Sequence, residues 1–167
     1  MDLSILLMQE NDLEFLNRVR NEYASQFLHD SRTFTLDETK QWFNNTNPTY
    51  YIIKDNNLDA NIGYFRISNY SEVNKNLYIG ADIAPECKGM GYAKPAYKQF
   101  MKYLFEYLNL NKISLEVLDT NHIAINLYSS LGFVYEGAKR QEVLKNGVWV
   151  NSIIMSILKD EFYENRN

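Results

Sequence analysis

The chain has 167 residues, 17 of them basic and 21 acidic, for a net charge of -4. That length suits one domain (1–167) with a sizeable buried core, and an acidic chain without a basic run is a poor match to sequence-independent nucleic-acid binding. A lone cysteine, Cys87, excludes an intramolecular disulfide and a cysteine zinc cage, and no apolar run approaches the roughly 18 residues of a membrane span. With no signal-like start, the expectation is a reduced, cytoplasmic protein without nucleic-acid or membrane partners.

Leu3 to Met8 reads as a short strand. Asn11-Asp12 offers a helix cap, and Leu13, Leu16, Val19 and Tyr23 follow at helical spacing. Thr35-Leu36-Asp37-Glu38 has the form of a capping box and predicts a helix through Trp42-Phe43. Tyr50 to Ile53 and Ile62 to Ile67 are rich in strand formers and flank the turn-prone Asp55-Asn56-Asn57, which predicts a hairpin. Leu77 to Ile83 is a third strand of this group, stopped by Ala84-Pro85.

Lys88-Gly89-Met90-Gly91 then opens a helix from about Tyr92 to Leu108. Its apolar positions keep the 3.6 period, and Pro95 falls in the first turn, where its missing N–H costs little. Ile113 to Leu118 is a strand. Asn121 begins a helix that Gly132 closes, and the last hairpin turns at Asn146-Gly147, with Val148 to Leu158 as its closing strand. A helix between the strands ending at Ile83 and starting at Ile113 implies a parallel crossover. The fold class is α/β, a mixed sheet flanked by helices.

The strand, glycine loop and helix over Ile79 to Ala96 are the most informative segment. A helix start presents unpaired N–H groups and partial positive charge, and glycines admit close approach, so the loop could wrap a phosphate or diphosphate. A plain tight turn into a helix would read the same. The nucleotide-binding G-x-x-x-x-G-K-[ST] pattern is absent, and G-x-G-x-x-G fails at Lys94.

Lys88-Gly89-Met90-Gly91-Tyr92-Ala93 resembles the diphosphate motif Q/R-x-x-G-x-G/A of the GNAT superfamily of N-acetyltransferases, with Lys88 in the first slot. A second match lies downstream: N-x-x-A-x-x-x-Y followed by Gly-Phe, here Asn121, Ala124, Tyr128 and Gly132-Phe133. The chain is most similar to the branch holding spermidine, ribosomal-protein N-terminal and nucleotide-amino-sugar acetyltransferases. The resemblance implies a GNAT-like, mostly antiparallel sheet with a parallel crossover and acetyl-CoA as cosubstrate, without metal. It implies that Lys88, Gly89, Met90, Gly91, Tyr92 and Ala93 hold the diphosphate. It also implies that Ile83 and Ala84 pair with the pantetheine arm and that Asn121 bonds that arm.

Acetyl transfer to an amine needs a held donor, a neutral amine, a hydrogen bond to the carbonyl oxygen and a proton for the departing thiolate. Tyr128 is the candidate acid, since a phenol with pKa near 10 is protonated at neutral pH. A tyrosine packed at the helix end is the plainer alternative. Asp82, Glu116 and Glu72 are candidate bases, with Asp82 first because it lies beside the expected reaction point. Cys87 lies near the loop, but the mechanism needs no cysteine, and Lys94, Lys98 and Lys102 read as a solvated stripe. Arg20, Asn21, His29, Trp42, Tyr64, Arg66 and Trp149 are candidates for the wall facing a small-molecule amine. An arginine-rich aromatic wall would suit a nucleotide-linked amino sugar, and an acidic wall a polyamine. Protein N-terminal or lysine acetylation, and a noncatalytic acyl-CoA sensor, are the competing readings. A homo-oligomer is compatible with all of them.

Overall fold

The computed structural model describes residues 1–164. Among these, β1 (Leu3–Leu7) is followed by α1 (Leu13–Tyr23), α2 (Leu36–Thr46), β2 (Tyr50–Asp55), β3 (Ala60–Ser71) and β4 (Asn76–Ile83). Then come α3 (Ala93–Tyr107), β5 (Lys112–Leu118), α4 (His122–Ser130), β6 (Val134–Lys145), β7 (Val148–Leu158) and α5 (Lys159–Glu164). The strands form one sheet in the order β1-β2-β3-β4-β5-β7-β6. The β1–β2, β2–β3, β5–β7 and β6–β7 pairs are antiparallel, and β4–β5 is the parallel pair that α3 connects. The mixed, mostly antiparallel sheet with one parallel crossover is therefore the observed architecture.

Local chemistry sets the elements. Thr35 is extended (φ -68, ψ 163), its hydroxyl accepts from Glu38 N–H, and the Glu38 carboxylate accepts from Thr35 N–H, so the capping box forms as read. At the start of α1 the outcome differs. Glu10–Asp12 is a turn of 3-10 helix, and Asp12 Oδ2 accepts from Gln9 N–H, behind it, instead of capping α1. Asn146 (φ 49) and Gly147 (φ 81) both take left-handed backbone, the geometry of a two-residue hairpin turn, which sets Lys145 opposite Val148. β6, the opening strand of the last hairpin, runs over Val134–Lys145. Irregularities at Tyr135/Gly137 and Lys139/Val143 break its alternation and hide it from a period-2 reading.

The chain falls into two compact units. One holds Met1–Ile67 and Gly80–Ala96, the other Ser68–Ile79 and the chain from Tyr97 onward. In the first, α1 turns Leu13, Leu16, Val19 and Tyr23 into a core shared with Met8, Ile52, Tyr64 and Ala84. In the second, α3 buries Phe100, Met101, Leu104 and Phe105, and β5 and β7 bury Ile113, Leu115 and Ile157. Each such side chain contributes about 1.5–3 kcal/mol relative to exposure. Lys94, Lys98 and Lys102 are exposed, as a solvated stripe should be.

Candidate active site

The glycine loop is built from a 3-10 turn, Pro85–Cys87, leading through Gly89 and Gly91 into α3. Lys88 N–H donates to Pro85 O and Met90 N–H to Cys87 O, so those two amides are used in the turn. Gly89 (φ 75) and Gly91 (φ 83) take left-handed backbone, where a side chain is strained. Among the described residues, no backbone acceptor meets the N–H of Gly89, Gly91 or Tyr92. A Cβ at either glycine would meet no atom within 4 Å, so the space on the Cβ side of both glycines is open.

Two side chains of the loop behave differently from the sequence reading. Tyr92 turns inward, and its hydroxyl donates to Asp55 Oδ2 at 2.8 Å, tying the loop to the end of β2. That bond holds the Asp55 carboxyl below its usual range and raises the Tyr92 phenol. Tyr92 can thus offer a ligand only its backbone. Lys88 lays its ammonium over Tyr23 and Phe27, 4.7 and 5.0 Å from the ring centroids, a cation–π seat on the side of α1. Cys87 packs against the same apolar cluster, and burial pushes its thiol up, with Glu86 adding to the shift. That environment makes a poor nucleophile. Neither the Tyr92–Asp55 bond nor the Lys88 seat has a local sequence signal.

The end of β4 carries Asp82 and Ile83. Asp82 Oδ2 accepts from Tyr64 Oη at 2.7 Å and from Arg66 Nη1 at 3.2 Å. Burial, then the Asp82 charge, hold the Tyr64 phenol well above its ordinary value, so it stays a donor. Glycines make this cluster fit: a Cβ on Gly63 would lie 2.6 Å from Asp82 O, and one on Gly80 would lie 2.6 Å from Arg66 Cζ. Ala84 N–H donates to Ile62 O. Because strand groups alternate sides, the N–H of Ile83 points away from β3, and its carbonyl accepts from Tyr23 Oη at 2.7 Å. The β4–β5 ladder comprises Asn76–Lys112, Leu77–Ile113 and Tyr78–Ser114 and stops there, before the end of either strand.

A cavity of about 600 Å³ opens between α1, the 24–35 loop and α2, within the usual range of small-molecule sites, about 300–1,000 Å³. Arg20, Asp30, Arg32, Phe34, Trp42 and Tyr50 are among its lining. Arg20 Nη1 donates to Arg32 O, and its guanidinium lies 4.5 Å from the Phe34 ring. Asp30 accepts from the Arg32 guanidinium and backbone, which hold its carboxyl down at about 2. The Tyr50 ring meets Trp42 and Tyr64 at 5.6 and 5.8 Å, so an aromatic path runs from the cavity to the tyrosine that bonds Asp82.

Of the wall residues read from sequence, Arg20 and Trp42 line this cavity. Asn21 instead braces the loop, its amide exchanging bonds with the backbone of Phe34. Tyr64 and Arg66 belong to the Asp82 cluster, and Trp149 is an exposed residue of β7 in the other unit. Asp30, Arg32, Phe34 and Tyr50 were not expected. The pair Asn17 and Asn21, one turn apart on α1, is the signal that could have flagged a braced loop, since both hold the Phe34 carbonyl.

In the second unit Tyr128 is 8% exposed near the end of α4, 3.3 Å from the Tyr97 hydroxyl and packed on Phe133. Asn121 caps α4, its Oδ1 accepting from Ala124 N–H at 3.2 Å. The amide NH2 is the group it has to offer a ligand. Glu116 on β5 accepts from Lys139 Nζ and Ser152 Oγ, and Glu72 is exposed in the turn after β3.

A mixed sheet with one parallel crossover, and a strand that passes through two left-handed glycines into a helix, define the class of acyl-CoA acetyltransferases. Residues 2–134 match the family model described as acetyltransferase (GNAT) domain. The chain belongs to the GNAT acetyltransferase family and is an acetyl-CoA-dependent N-acetyltransferase. It is 29% identical to spermidine N(1)-acetyltransferase of Vibrio cholerae serotype O1, over 96% of this chain and 95% of that one. It is 35% identical to spermidine N(1)-acetyltransferase of Escherichia coli K12 over 60% of this chain and 54% of the other. A crystal structure of spermidine N-acetyltransferase from Vibrio cholerae in complex with CoA and spermine superimposes with TM-score 0.90 at 25% identity, covering 96% of this chain and 98% of that one.

Proposed function

We propose that this enzyme moves the acetyl group of acetyl-CoA directly to a primary amine of a small molecule, with Tyr128 as the acid. The observation that carries the coenzyme assignment is the loop, where the amides of Gly89, Gly91 and Tyr92 meet no backbone acceptor among the described residues and the Cβ side of both glycines is open. With Ala93 at the helix start, they supply the N–H groups and partial positive charge that a diphosphate takes. Gly89 and Met90 shape the turn, and Lys88 contributes charge if its ammonium leaves the Tyr23 and Phe27 rings. Ile83 and Ala84 pair with the pantetheine arm, the Ile83 N–H meeting the thioester oxygen, and Asn121 bonds the arm through its amide.

In the reaction the amine nitrogen attacks the thioester carbonyl, the C–N bond forms, and the C–S bond breaks with its electron pair going to sulfur. Tyr128 gives that sulfur its proton and recovers one from solvent. The proton lost by the amine goes to Asp82, directly or through water. The bonds shown at this carboxylate fall on Oδ2, so we assign the role to Oδ1.

The cavity between α1 and α2 is the acceptor pocket in this reading. A polyamine is the acceptor class that the names of the relatives support, and Asp30 and Glu38 supply its negative charge. A second reading has an observation of its own: Arg20 and Arg32, with Phe34, Trp42 and Tyr50, suit an amine that carries an anionic group and a planar ring. A thiol-release assay with acetyl-CoA separates them, with spermidine, a nucleotide-linked amino sugar and a peptide N-terminus side by side. Release with spermidine alone supports the polyamine, release with the amino sugar alone supports the second reading, and acetyl-CoA binding without release on a broad panel contradicts both. Tyr128→Phe should lower kcat about a hundredfold or more while leaving acetyl-CoA affinity little changed. Unaltered turnover removes Tyr128 as the acid.

A further inference from the structure

Tyr97 lies on the inward face of α3, where an apolar side chain would fill the same space, and it is 2% exposed. Its hydroxyl donates to the Tyr128 hydroxyl at 3.3 Å, and the two rings meet edge to face at 72° with centroids 5.6 Å apart. Phe133 packs on Tyr128 as well, 5.9 Å between centroids. Of these neighbours Tyr97 brings a hydroxyl and Phe133 only a ring. The hydroxyl of Tyr128 therefore accepts from a buried donor on another helix.

We infer that Tyr97 is a positioning residue for acetyl transfer, which orients the Tyr128 hydroxyl and stabilises the phenolate left after its proton goes to the coenzyme sulfur. The inference rests on the reading of Tyr128 as the acid. Before transfer, the Tyr97 O–H occupies a lone pair of the Tyr128 oxygen, so the Tyr128 proton must point elsewhere. As the C–S pair passes to sulfur, the Tyr128 O–H bond breaks, the proton joins the sulfur, and oxygen keeps the bonding pair. The Tyr97 hydrogen bond then becomes charge-assisted and shorter. A bond that strengthens as the charge develops favours the charged form and makes Tyr128 a stronger acid.

The test is Tyr97→Phe, which keeps the ring and removes the donor, in the intact enzyme with the best amine of the panel. We expect kcat to fall about tenfold, the loss of one hydrogen bond to a charged oxygen. The basic limb of the kcat pH profile, where Tyr128 loses its proton, should rise by about one unit, with the KM for acetyl-CoA unchanged. In a Tyr128→Phe background the same change should add no loss, because the two act as one unit. A fluorinated tyrosine at position 97, a stronger donor on an intact ring, should move the limb the opposite way. Wild-type kcat with an unmoved limb in Tyr97→Phe overturns the inference, as does an equal loss in the Tyr128→Phe background. If Tyr128→Phe retains full turnover, the acid assignment and this inference fall together. If Tyr128→Phe is inactive and Tyr97→Phe is unaffected, this inference alone falls.

Discussion

Gly91 separates the loop's folding requirement from its binding role. Its φ of 83 is left-handed, and a Cβ there would meet no atom within 4 Å. Gly91→Ala therefore adds backbone strain and no clash, a cost of about 1–2 kcal/mol. For a domain of this size that lowers Tm by roughly 2–8 °C. Gly91→Trp starts from the same backbone position and the same open space, so its loss of Tm should be similar. Coenzyme binding should not be similar. The alanine methyl trims the space beside the amides, and the indole fills it. Calorimetric titration with acetyl-CoA should then show weaker binding for the alanine variant and none for the tryptophan variant, with thermal melts confirming that both are folded. A folded Gly91→Trp enzyme that binds acetyl-CoA with wild-type affinity would refute the assignment of this loop to the diphosphate.

Gly63→Ala should cost about 1–3 kcal/mol by overpacking, since its Cβ would sit 2.6 Å from the Asp82 carbonyl and 3.2 Å from Ile83 Cα, both backbone. Turnover should fall more than coenzyme affinity, because the shift lands beside Asp82; a variant with wild-type Tm and kcat contradicts the close approach. Tyr23, raised to about 12 by burial and by Asp82, is held as a neutral donor to Ile83 O. Its folded pKa lies above the unfolded value, so its stabilisation is complete below pH 10 and is lost as pH rises toward 12. Alkaline melts of Tyr23→Phe should be flatter across that window than those of the wild type, and parallel curves would remove Tyr23 as the source.

Where a structural decision was made by neighbours along the chain, the sequence displayed it. The Thr35–Glu38 capping box, Gly132 after α4 and the Asn146-Gly147 turn each depend on a few adjacent residues, and all three form. The crossover helix is also legible, because its buried face recurs with helical period. The motif residues from Lys88 to Ala93 and at Asn121 and Tyr128 occupy the turn, the cap and the helix end that their spacing suggested. What the sequence hid depends on contacts between distant residues. Tyr92 is 37 positions from Asp55, its hydrogen-bond partner, so nothing local says that its side chain turns inward. Lys88 carries a charge that reads as a phosphate ligand, yet the rings of Tyr23 and Phe27 hold it. The cavity wall at Asp30, Arg32 and Phe34 comes from a segment without periodicity, braced by Asn17 and Asn21 from a different element.

The most direct measurement is a crystal structure of this enzyme with bound acetyl-CoA. We expect the diphosphate oxygens within hydrogen-bond distance of the N–H groups of Gly89, Gly91, Tyr92 and Ala93, and the coenzyme sulfur within reach of the Tyr128 hydroxyl. A coenzyme seated away from this loop, or a sulfur remote from Tyr128, would contradict the assignment.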